Sequence, residues 1–403
     1  MERLLTLSLV HTAMIFFLLV LSATMCMSVG RMEDANENSD PRRDHLHRLE
    51  LTAGAHGDLR HKSQAKRLPC RAASEERQFA NCDNTNIDLY KLFVCPAFLV
   101  PGRIRREIEM FSSPEQWLTV SSMLAESKGA YHFHDGLLRI LGPGEAKIIA
   151  DFFKQRPNIS VSIEAGVYLC NGTDVALTAL QDLRNYTSVG GRIDQWALES
   201  IFSRTMSGCE GKFTTFQQVA EQAVDYVQVL KKAMPDLEFG VIDAVPHFSA
   251  GKYPSNNEPR VDLGDIRDAL STLKTALAGA GTELLFYWAD CPYEYSLNLP
   301  GNTGFEKLAF IANYTTNELG MRMGKIFNSQ QGGSVSDKMY YDRSLLDYHA
   351  YMSTSAAATD TSDIIAESWY KFPAQVIPET QPYTFMYTAK TILELARNHT
   401  TRP

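Results

Sequence analysis

The sequence lacks any surplus of positive charge. Its 403 residues include 39 Lys and Arg against 47 Asp and Glu, which gives a net charge of −8. Proteins that bind nucleic acid neutralise its phosphates with clustered basic side chains. We therefore expect no nucleic acid among the partners. No pattern in the chain indicates an oligomer, so a monomer is expected.

Two common signatures are also missing. No Cys-x-x-Cys or histidine-rich spacing occurs, so the sequence predicts no zinc site. The first predicted strand, which begins at Lys91, continues into Pro96-Ala97-Phe98-Leu99-Val100-Pro101. A dinucleotide-binding fold usually has a glycine-rich loop at this point. We accordingly predict neither a metal nor an organic cofactor.

Residues 1–30 form a separate segment. Met1-Glu2-Arg3 precedes an apolar stretch over residues 4–29, which ends near the small residues Ser28 and Gly30. This order is typical of a signal peptide, although the stretch is also long enough for an uncleaved membrane anchor. The rest of the chain is predicted to be secreted or, if anchored, to lie in the lumen of the secretory pathway.

Residues 31–67 differ from the rest in composition. They are rich in charged side chains and histidine and almost free of aromatic residues. This composition predicts a disordered linker or propeptide, and Lys66-Arg67 is a candidate processing site. The remaining residues, 68–403, are predicted to form one catalytic domain.

Glycosylation motifs and cysteines agree with an oxidising, extracellular environment. We expect N-glycosylation at five Asn-x-Ser/Thr sequons, at Asn158, Asn171, Asn185, Asn313 and Asn398. Six cysteines follow the amino-terminal segment: Cys70, Cys82, Cys95, Cys170, Cys209 and Cys291. They predict up to three disulfides, whose pairing the sequence does not decide, or else buried free thiols.

From about residue 88, short apolar runs alternate with amphipathic segments. The amphipathic segments have apolar residues at helical spacing, as in Phe216–Leu230, Ile266–Leu277, Phe305–Leu319 and the last helix, Tyr383–Arg397. The apolar runs have the length and composition of buried parallel strands. The eight predicted strands are Lys91–Phe98, Ala130–His134, Ile159–Glu164, Gly191–Glu199, Leu237–Asp243, Glu283–Asp290, Met323–Asn328 and Ile364–Trp369.

Eight strands that are each followed by a helix or a long loop predict a closed parallel (β/α)8 barrel, the TIM barrel. An open doubly wound sheet is the alternative, but it usually has the glycine-rich loop that this chain lacks. In a (β/α)8 barrel the active site forms at the carboxyl ends of the strands. The residues that end the predicted strands are therefore the candidates for function.

Four consecutive predicted strands, the third to the sixth, end in a carboxylate after an apolar run. A single acid at such a position is also common because it interacts with the dipole of the following helix. Four carboxylates at equivalent strand ends are harder to explain in that way, since buried charged groups generally have an ion-pair partner or a functional role. The predicted catalytic residues are therefore Glu164, Glu199, Asp243 and Asp290.

Aromatic and histidine side chains occur at the same strand ends. Aromatic rings stack on the apolar faces of sugar rings, although a tryptophan at a strand end is also ordinary core. Trp196 and Trp288, each within a few residues of a carboxylate, are the leading candidates for stacking. The predicted substrate-binding residues are Tyr131, His132, His134, Trp196, Tyr287, Trp288, Tyr293 and Trp369.

This combination resembles the large superfamily of (β/α)8 glycoside hydrolases over residues 88–397, in architecture and residue type, and no single family is indicated. The Asn-Glu pair that ends the fourth strand in one large clan is absent, because Leu198 precedes Glu199. Residues 325–330 also lack that clan's glutamate nucleophile. Carboxylates after the fourth and sixth strands are more similar to the α-galactosidase-like clan. Families of that clan have aspartates at both positions, so Glu199 is a departure.

The resemblance implies a secreted glycoside hydrolase that works with a pair of carboxyl groups. We predict Glu199 as the general acid, because Trp196 and Leu198 offer apolar surroundings. Asp290 is the predicted nucleophile or base. Asp243 and Glu164 would then bind sugar hydroxyls, or complete the pair instead.

Two other functions are compatible with the sequence. A metal-dependent sugar isomerase or epimerase would take its ligands from Glu164, Asp243, His247 and Glu367. A barrel without catalytic activity would act as a carbohydrate-binding or effector protein. Bound divalent metal would favour the first, and a well-folded but inactive protein would favour the second.

Overall fold

The eight apolar runs form eight short parallel strands. A computed structural model describes residues 90–96, 103–255, 262–297, 304–354 and 360–400. The predicted signal segment, the linker with its Lys66-Arg67 motif, and Cys70 and Cys82 lie outside the described residues. The strands are β1 Lys91–Cys95, β2 Ala130–His134, β3 Ser160–Gly166, β4 Gln195–Glu199, β5 Glu238–Ala244, β6 Leu284–Asp290, β7 Arg322–Phe327 and β8 Asp363–Glu367.

The strands close into a barrel in the order of the sequence, from β1 to β8. Each strand pairs in parallel with the next. The barrel closes where β8 pairs with β1, from Lys91 beside Asp363 to Cys95 beside Glu367. This order confirms the predicted (β/α)8 barrel and excludes the open doubly wound sheet.

Helices surround the barrel because their apolar faces pack against the outer surface of the strands. The predicted helix over Phe305–Leu319 changes at Asn313 into a π-helical segment, Tyr314–Glu318. The last helix begins at Phe385, two residues later than predicted, because Tyr383 has a φ of 69°. The helices are α1 Arg103–Ser112, α2 Leu118–Glu126, α3 Asp135–Ile140, α4 Pro143–Lys154, α5 Gly172–Asp182, α6 Arg184–Ser188, α7 Ile201–Gly208, α8 Phe216–Ala233, α9 Ile266–Gly279, α10 Tyr293–Ser296, α11 Gly304–Asn313, α12 Gln330–Val335, α13 Asp337–Met352 and α14 Phe385–Thr400.

Along each strand, successive side chains point alternately into the barrel lumen and outwards, towards the helices. Trp288 is the largest apolar side chain in the lumen, and Gly324 leaves room for it, because a Cβ at residue 324 would overlap the indole. The indole N–H of Trp288 donates a hydrogen bond to Asp363 at the start of β8 (2.9 Å). This packed layer leaves the carboxyl ends of the strands for a site. The apolar lumen cluster consists of Phe93, Ala130, Ala197, Ile242, Phe286, Trp288, Ile326 and Ile365.

The described cysteines and sequons have different surroundings. Cys170, after β3, forms a disulfide with Cys209, after α7, whereas Cys95 and Cys291 are buried free thiols. The five sequon asparagines are exposed, as glycan attachment requires, and glycosylation stays a prediction. Within the described residues, no helix combines the length and the apolar character that a membrane span needs.

Candidate active site at the mouth of the barrel

Four carboxyl groups face one another at the carboxyl end of the barrel. Glu199, Asp290 and Glu367 are the last residues of β4, β6 and β8, and Glu164 lies two residues before the end of β3. Burial is the largest cause that raises the pKa values of Glu164, Asp290 and Glu367, and repulsion from the neighbouring carboxylates adds to it. This repulsion indicates that the four charges converge on one small volume.

Two of these carboxyl groups belong to a tighter group, which we call the Cys95 cluster: Cys95, His132, Glu164 and Glu367. One potential ligand atom of each residue lies within 4.8 Å of those of the other three. All four side chains are fully buried. The Nδ1 of His132 lies 2.8 Å from the Ser162 hydroxyl, and its Nε2 lies 3.4 Å from Oε2 of Glu164. The cluster joins four adjacent strands, β8, β1, β2 and β3.

The protonation states in the Cys95 cluster are dominated by burial. Burial raises the pKa of Glu367 to about 8 and that of Glu164 well above its usual range. It lowers the pKa of His132 to about 3, so the imidazole is neutral. Edge-on packing against Trp288, with ring centroids 4.9 Å apart, holds the imidazole from below. The cluster is therefore a desolvated set of a thiol, an imidazole and two carboxyl groups.

Glu199 forms an ion pair with Arg204 of α7, whose Nη2 lies 2.5 Å from Oε2 of the carboxylate. The backbone between them is unusual, because Ser200 has a left-handed conformation with a φ of 51°. This turn starts α7 immediately after β4 and so returns Arg204 to Glu199. Gly166 provides the space, since a Cβ there would lie 2.6 Å from Oε2 of Glu199. The local structure on three elements thus accommodates this ion pair.

Asp290 has different surroundings. The side-chain amide of Asn328, just after β7, donates a hydrogen bond to its Oδ1 (3.3 Å). Burial raises the pKa of Asp290 to about 6, while Lys325 and Asn328 oppose this change and Glu199 adds to it. Asp290 is therefore a carboxyl group that exchanges its proton near the physiological range, as a general acid or base must.

Asp243 does not join the other predicted catalytic residues. Ile242 points into the lumen, so the next side chain points towards the helices. The register partner of Asp243 is Ala289, which packs in that outer core. The structure thus corrects the sequence-based placement of Asp243. The group of potential metal ligands contains Glu164 and Glu367 but neither Asp243 nor His247, so the ligand set of the isomerase alternative is not assembled.

The predicted aromatic contacts need a similar correction. Tyr131, Trp196 and Tyr287 belong to the outer core between strands and helices. The hydroxyl of Tyr131 donates a hydrogen bond to Glu107 of α1 (2.7 Å), and Trp196 packs against Tyr226 of α8 at 6.3 Å. Trp288 fills the lumen. These four aromatic side chains are fully buried and present no surface to a substrate.

His134, the last residue of β2, is partly exposed, as are Tyr293 after β6 and Trp369 after β8. The rings of His134 and Trp369 meet edge-on at 6.3 Å. Burial lowers the pKa of His134, and the charges of Asp135, Glu199 and Arg204 also act on it. Substrate contact by these three side chains stays a prediction, whereas His132 lies deeper, in the Cys95 cluster.

A surface cleft of about 620 Å³ opens beside Arg204. Tyr168 is 49% exposed, and its ring centroid lies 6.0 Å from the Arg204 guanidinium. The same ring packs over Gly208, where a Cβ would overlap it, next to the Cys170–Cys209 disulfide. The cleft therefore adjoins Arg204, the partner of Glu199, and has an aromatic wall, while none of the four mouth carboxylates is among its lining residues. Its lining residues are Tyr168, Ser203, Arg204, Met206, Ser207, Phe213, Thr214, His247, Asp262 and Leu263.

Four residues of this region were not predicted: Cys95, Tyr168, Arg204 and Asn328. Cys95 ends β1 and Asn328 directly follows β7, so the strand-end position that indicates the carboxylates also indicates these two. Tyr168 lies in the segment between β3 and α5 and Arg204 lies on α7, and no sequence pattern distinguishes them from other surface residues.

Comparison of the chain with protein-family models and with curated protein sequences gave no match. Among solved structures, an endo-β-1,4-mannanase double mutant from Cellulomonas fimi is similar with a TM-score of 0.46 and 9% identity, over 79% of this chain and 72% of that one. A GH10 endoxylanase from a sugarcane soil metagenome has a TM-score of 0.45 and 9% identity, over 77% and 97%. The homocysteine methyltransferase from Escherichia coli has a TM-score of 0.38 and 12% identity, over 75% and 95%. Similarities this low say nothing about function, and the barrel is established by its own strand order.

Proposed function

We propose that this protein is a secreted glycoside hydrolase whose two catalytic carboxyl groups are Glu199 and Asp290. The observation that carries the proposal is the pair of carboxyl groups on β4 and β6 in unlike environments. Glu199 is held in an ion pair with Arg204, whereas burial raises the pKa of Asp290 to about 6. Hydrolysis of a glycosidic bond requires one protonated and one ionised carboxyl group.

The environments also suggest the roles. Asp290, as general acid, protonates the glycosidic oxygen of the leaving sugar, and Glu199 acts as nucleophile or as base for a water molecule. This order is the reverse of the one predicted from the sequence. That prediction assumed apolar surroundings for Glu199, but Trp196 and Leu198 belong to the outer core and Arg204 occupies the space beside the carboxylate.

The cleft beside Arg204 supports a carbohydrate substrate. Exposed parts of Tyr168 and Phe213 offer apolar surface for stacking on sugar rings. His247 and Asp262 offer polar groups for hydroxyls in the same cleft. The cleft adjoins Arg204, the partner of Glu199, and at about 620 Å³ it offers room for sugar units bound beside the pair.

The test is a screen of the full-length secreted protein against polysaccharides and aryl glycosides, with release of reducing ends as the readout. We expect Glu199→Gln and Asp290→Asn to lower kcat by about 10²- to 10⁴-fold, the usual contribution of a general acid or base. The control is Glu238→Gln, a carboxylate at the opposite end of the barrel, which should retain the wild-type rate.

The pH profile tests the roles separately. If Asp290 must be protonated, wild-type kcat/KM falls as the pH rises through about 6, and the residual activity of Asp290→Asn does not show this decline. Wild-type rates in both amide variants would contradict the assignment. A well-folded wild type that is inactive on the whole panel would contradict the hydrolase and favour a carbohydrate-binding protein.

A further inference from the structure

The Cys95 cluster has the composition and the spacing of a metal site. Each of its residues lies on a different strand, and their potential ligand atoms lie within 4.8 Å of one another. A thiolate, an imidazole and carboxylates are the ligands that zinc prefers, at about 2.0 to 2.3 Å from the ion. Four tetrahedral ligand atoms at such distances from one centre lie about 3.3 to 3.8 Å apart, so the cluster, whose atoms lie within 4.8 Å of one another, needs only a small contraction to bind an ion.

The nitrogen and oxygen atoms that face one another in the cluster lack partners outside it. Nε2 of His132 and both carboxylate oxygens of Glu164 and of Glu367 are buried, and beyond the cluster itself none accepts or donates a hydrogen bond among the described residues. No lysine or arginine in the described part of the chain forms an ion pair with Glu164 or Glu367, and the imidazole of His132, 3.4 Å from Glu164, is neutral. Buried carboxylates are generally paired or coordinate a metal.

The orientation of His132 supports the same interpretation. The hydroxyl of Ser162 lies 2.8 Å from Nδ1, so the hydrogen bond engages that nitrogen and leaves Nε2 facing the carboxylates. Histidine ligands of metal ions typically have the second ring nitrogen held in this way. Trp288 packs edge-on against the same ring and restricts its rotation.

We propose that Cys95, His132, Glu164 and Glu367 bind one divalent transition-metal ion of the zinc type. Four protein ligands complete a tetrahedral shell, which is the arrangement of structural zinc sites; catalytic sites keep one position for water. The ion therefore ties β8, β1, β2 and β3 together beneath the mouth of the barrel. This inference is independent of the proposed hydrolase, because its readout is metal binding.

The first experiment uses the full-length wild-type protein with Zn²⁺ and Co²⁺ as probes. After loading with Zn²⁺ and exhaustive dialysis, we expect one zinc ion per chain. Loading with Co²⁺ should give a near-ultraviolet sulfur-to-cobalt charge-transfer band, which reports the thiolate of Cys95. A folded wild type that retains no metal and shows no such band would falsify the site. The two buried carboxyl groups of Glu164 and Glu367 would then be explained by a proton shared between them.

Variants identify the ligands. Cys95→Ser and Glu367→Gln should lose the retained ion, and Cys95→Ser should also lose the charge-transfer band. Ser162→Ala, which keeps all four ligands, should weaken binding by about 10- to 100-fold. The matched control is Cys291→Ser, since Cys291 is the other buried free thiol and lies outside the cluster. Equal loss in Cys95→Ser and Cys291→Ser would contradict the assignment.

Metal binding and hydrolysis can be separated. Glu199→Gln leaves the Cys95 cluster complete and should retain zinc while losing glycosidase activity. If Cys95→Ser does not fold, the cobalt spectrum of the wild type still decides the question. A protein that retains one zinc ion but hydrolyses nothing supports the metal site and contradicts only the proposed function.

Discussion

At the scale of single residues, Glu107 is a buried carboxyl group outside the four that meet at the mouth. It lies on α1, is 3% exposed, and accepts a hydrogen bond from the hydroxyl of Tyr131 (2.7 Å). Burial raises the pKa of Glu107 to about 8, and the hydrogen bond from Tyr131 opposes this only in part. Glu107 is therefore protonated in the folded protein at neutral pH, whereas in the unfolded chain it ionises near about 4.3.

Glu107 should make the protein less stable as the pH rises. Because the folded pKa is above the unfolded one, the folded state holds an extra proton between these two values. The contribution of Glu107 is thus complete below about pH 4.3 and is lost towards about pH 8, by about 1.4 kcal/mol per pH unit. Urea unfolding at several pH values should show this slope in the wild type relative to Glu107→Gln. Identical pH profiles of the two proteins would contradict the assignment.

Residue positions at the mouth could be predicted in part. Strand-end position alone indicates Glu199 and Asp290, because a buried carboxylate after an apolar run has few structural explanations. Whether each side chain points into the lumen or towards the helices was harder to predict, since both faces of a parallel strand in a barrel are apolar. Strand alternation would still have excluded Trp196, which lies three residues before Glu199 and therefore on the opposite face.

At the scale of elements, a buried ion pair joins β7 to α13. Lys325 points away from the lumen, and its Nζ lies 2.8 Å from Oδ2 of Asp347, with both side chains fully buried. The ammonium group also donates a hydrogen bond to the carbonyl oxygen of Cys291 (2.9 Å). The helix thus packs on the strand through a desolvated ion pair. Removing one partner alone is strongly destabilising, because the other charge stays buried without compensation.

Removing one partner of this pair should destabilise the fold strongly. Asp347→Ala leaves the ammonium group of Lys325 buried without its counter-charge, and we expect a loss of about 3 to 5 kcal/mol in the free energy of unfolding. The control is Asp342→Ala on the same helix, which breaks an exposed pair with Lys338 and should cost at most about 0.5 kcal/mol. Denaturant unfolding measures both, and equal effects would contradict the role of the buried pair.

Element order was predictable, but the Cys95 cluster was not. Each apolar run identifies its own strand, and eight repeats of strand and helix identify the barrel. The cluster depends on the pairing of β1 with β8, which places Cys95 beside Glu367 although they lie near opposite ends of the domain. No local spacing of cysteine and histidine indicates that contact, so the sequence signatures behind the expectation of no zinc site do not test it.

At the scale of the whole molecule, the disulfide fixes one wall of the cleft. Cys170 and Cys209 connect the segment after β3 to the end of α7. Tyr168 and Arg204, on the same two segments, line the cleft. The disulfide therefore restricts both the aromatic wall and the helix that carries the partner of Glu199.

Loss of this disulfide should weaken both stability and substrate binding. For Cys170→Ser combined with Cys209→Ser, we expect the free energy of unfolding to fall by about 2 to 4 kcal/mol. In an active enzyme KM should rise more than kcat falls, because the wall of the cleft loosens while Glu199 and Asp290 stay on their strands. Denaturant unfolding and steady-state kinetics measure these effects. Unchanged stability and KM in the double variant would argue against this role.

The pairing of the first strand with the last has a consequence for biosynthesis. β8 leaves the ribosome long after β1, so Cys95 meets Glu367 only when nearly the entire domain has been made. An ion held by both residues can be captured only by a chain whose last strand has already docked. The content of the proposed metal would thus record completed folding, and a chain truncated before β8 would lack the ion.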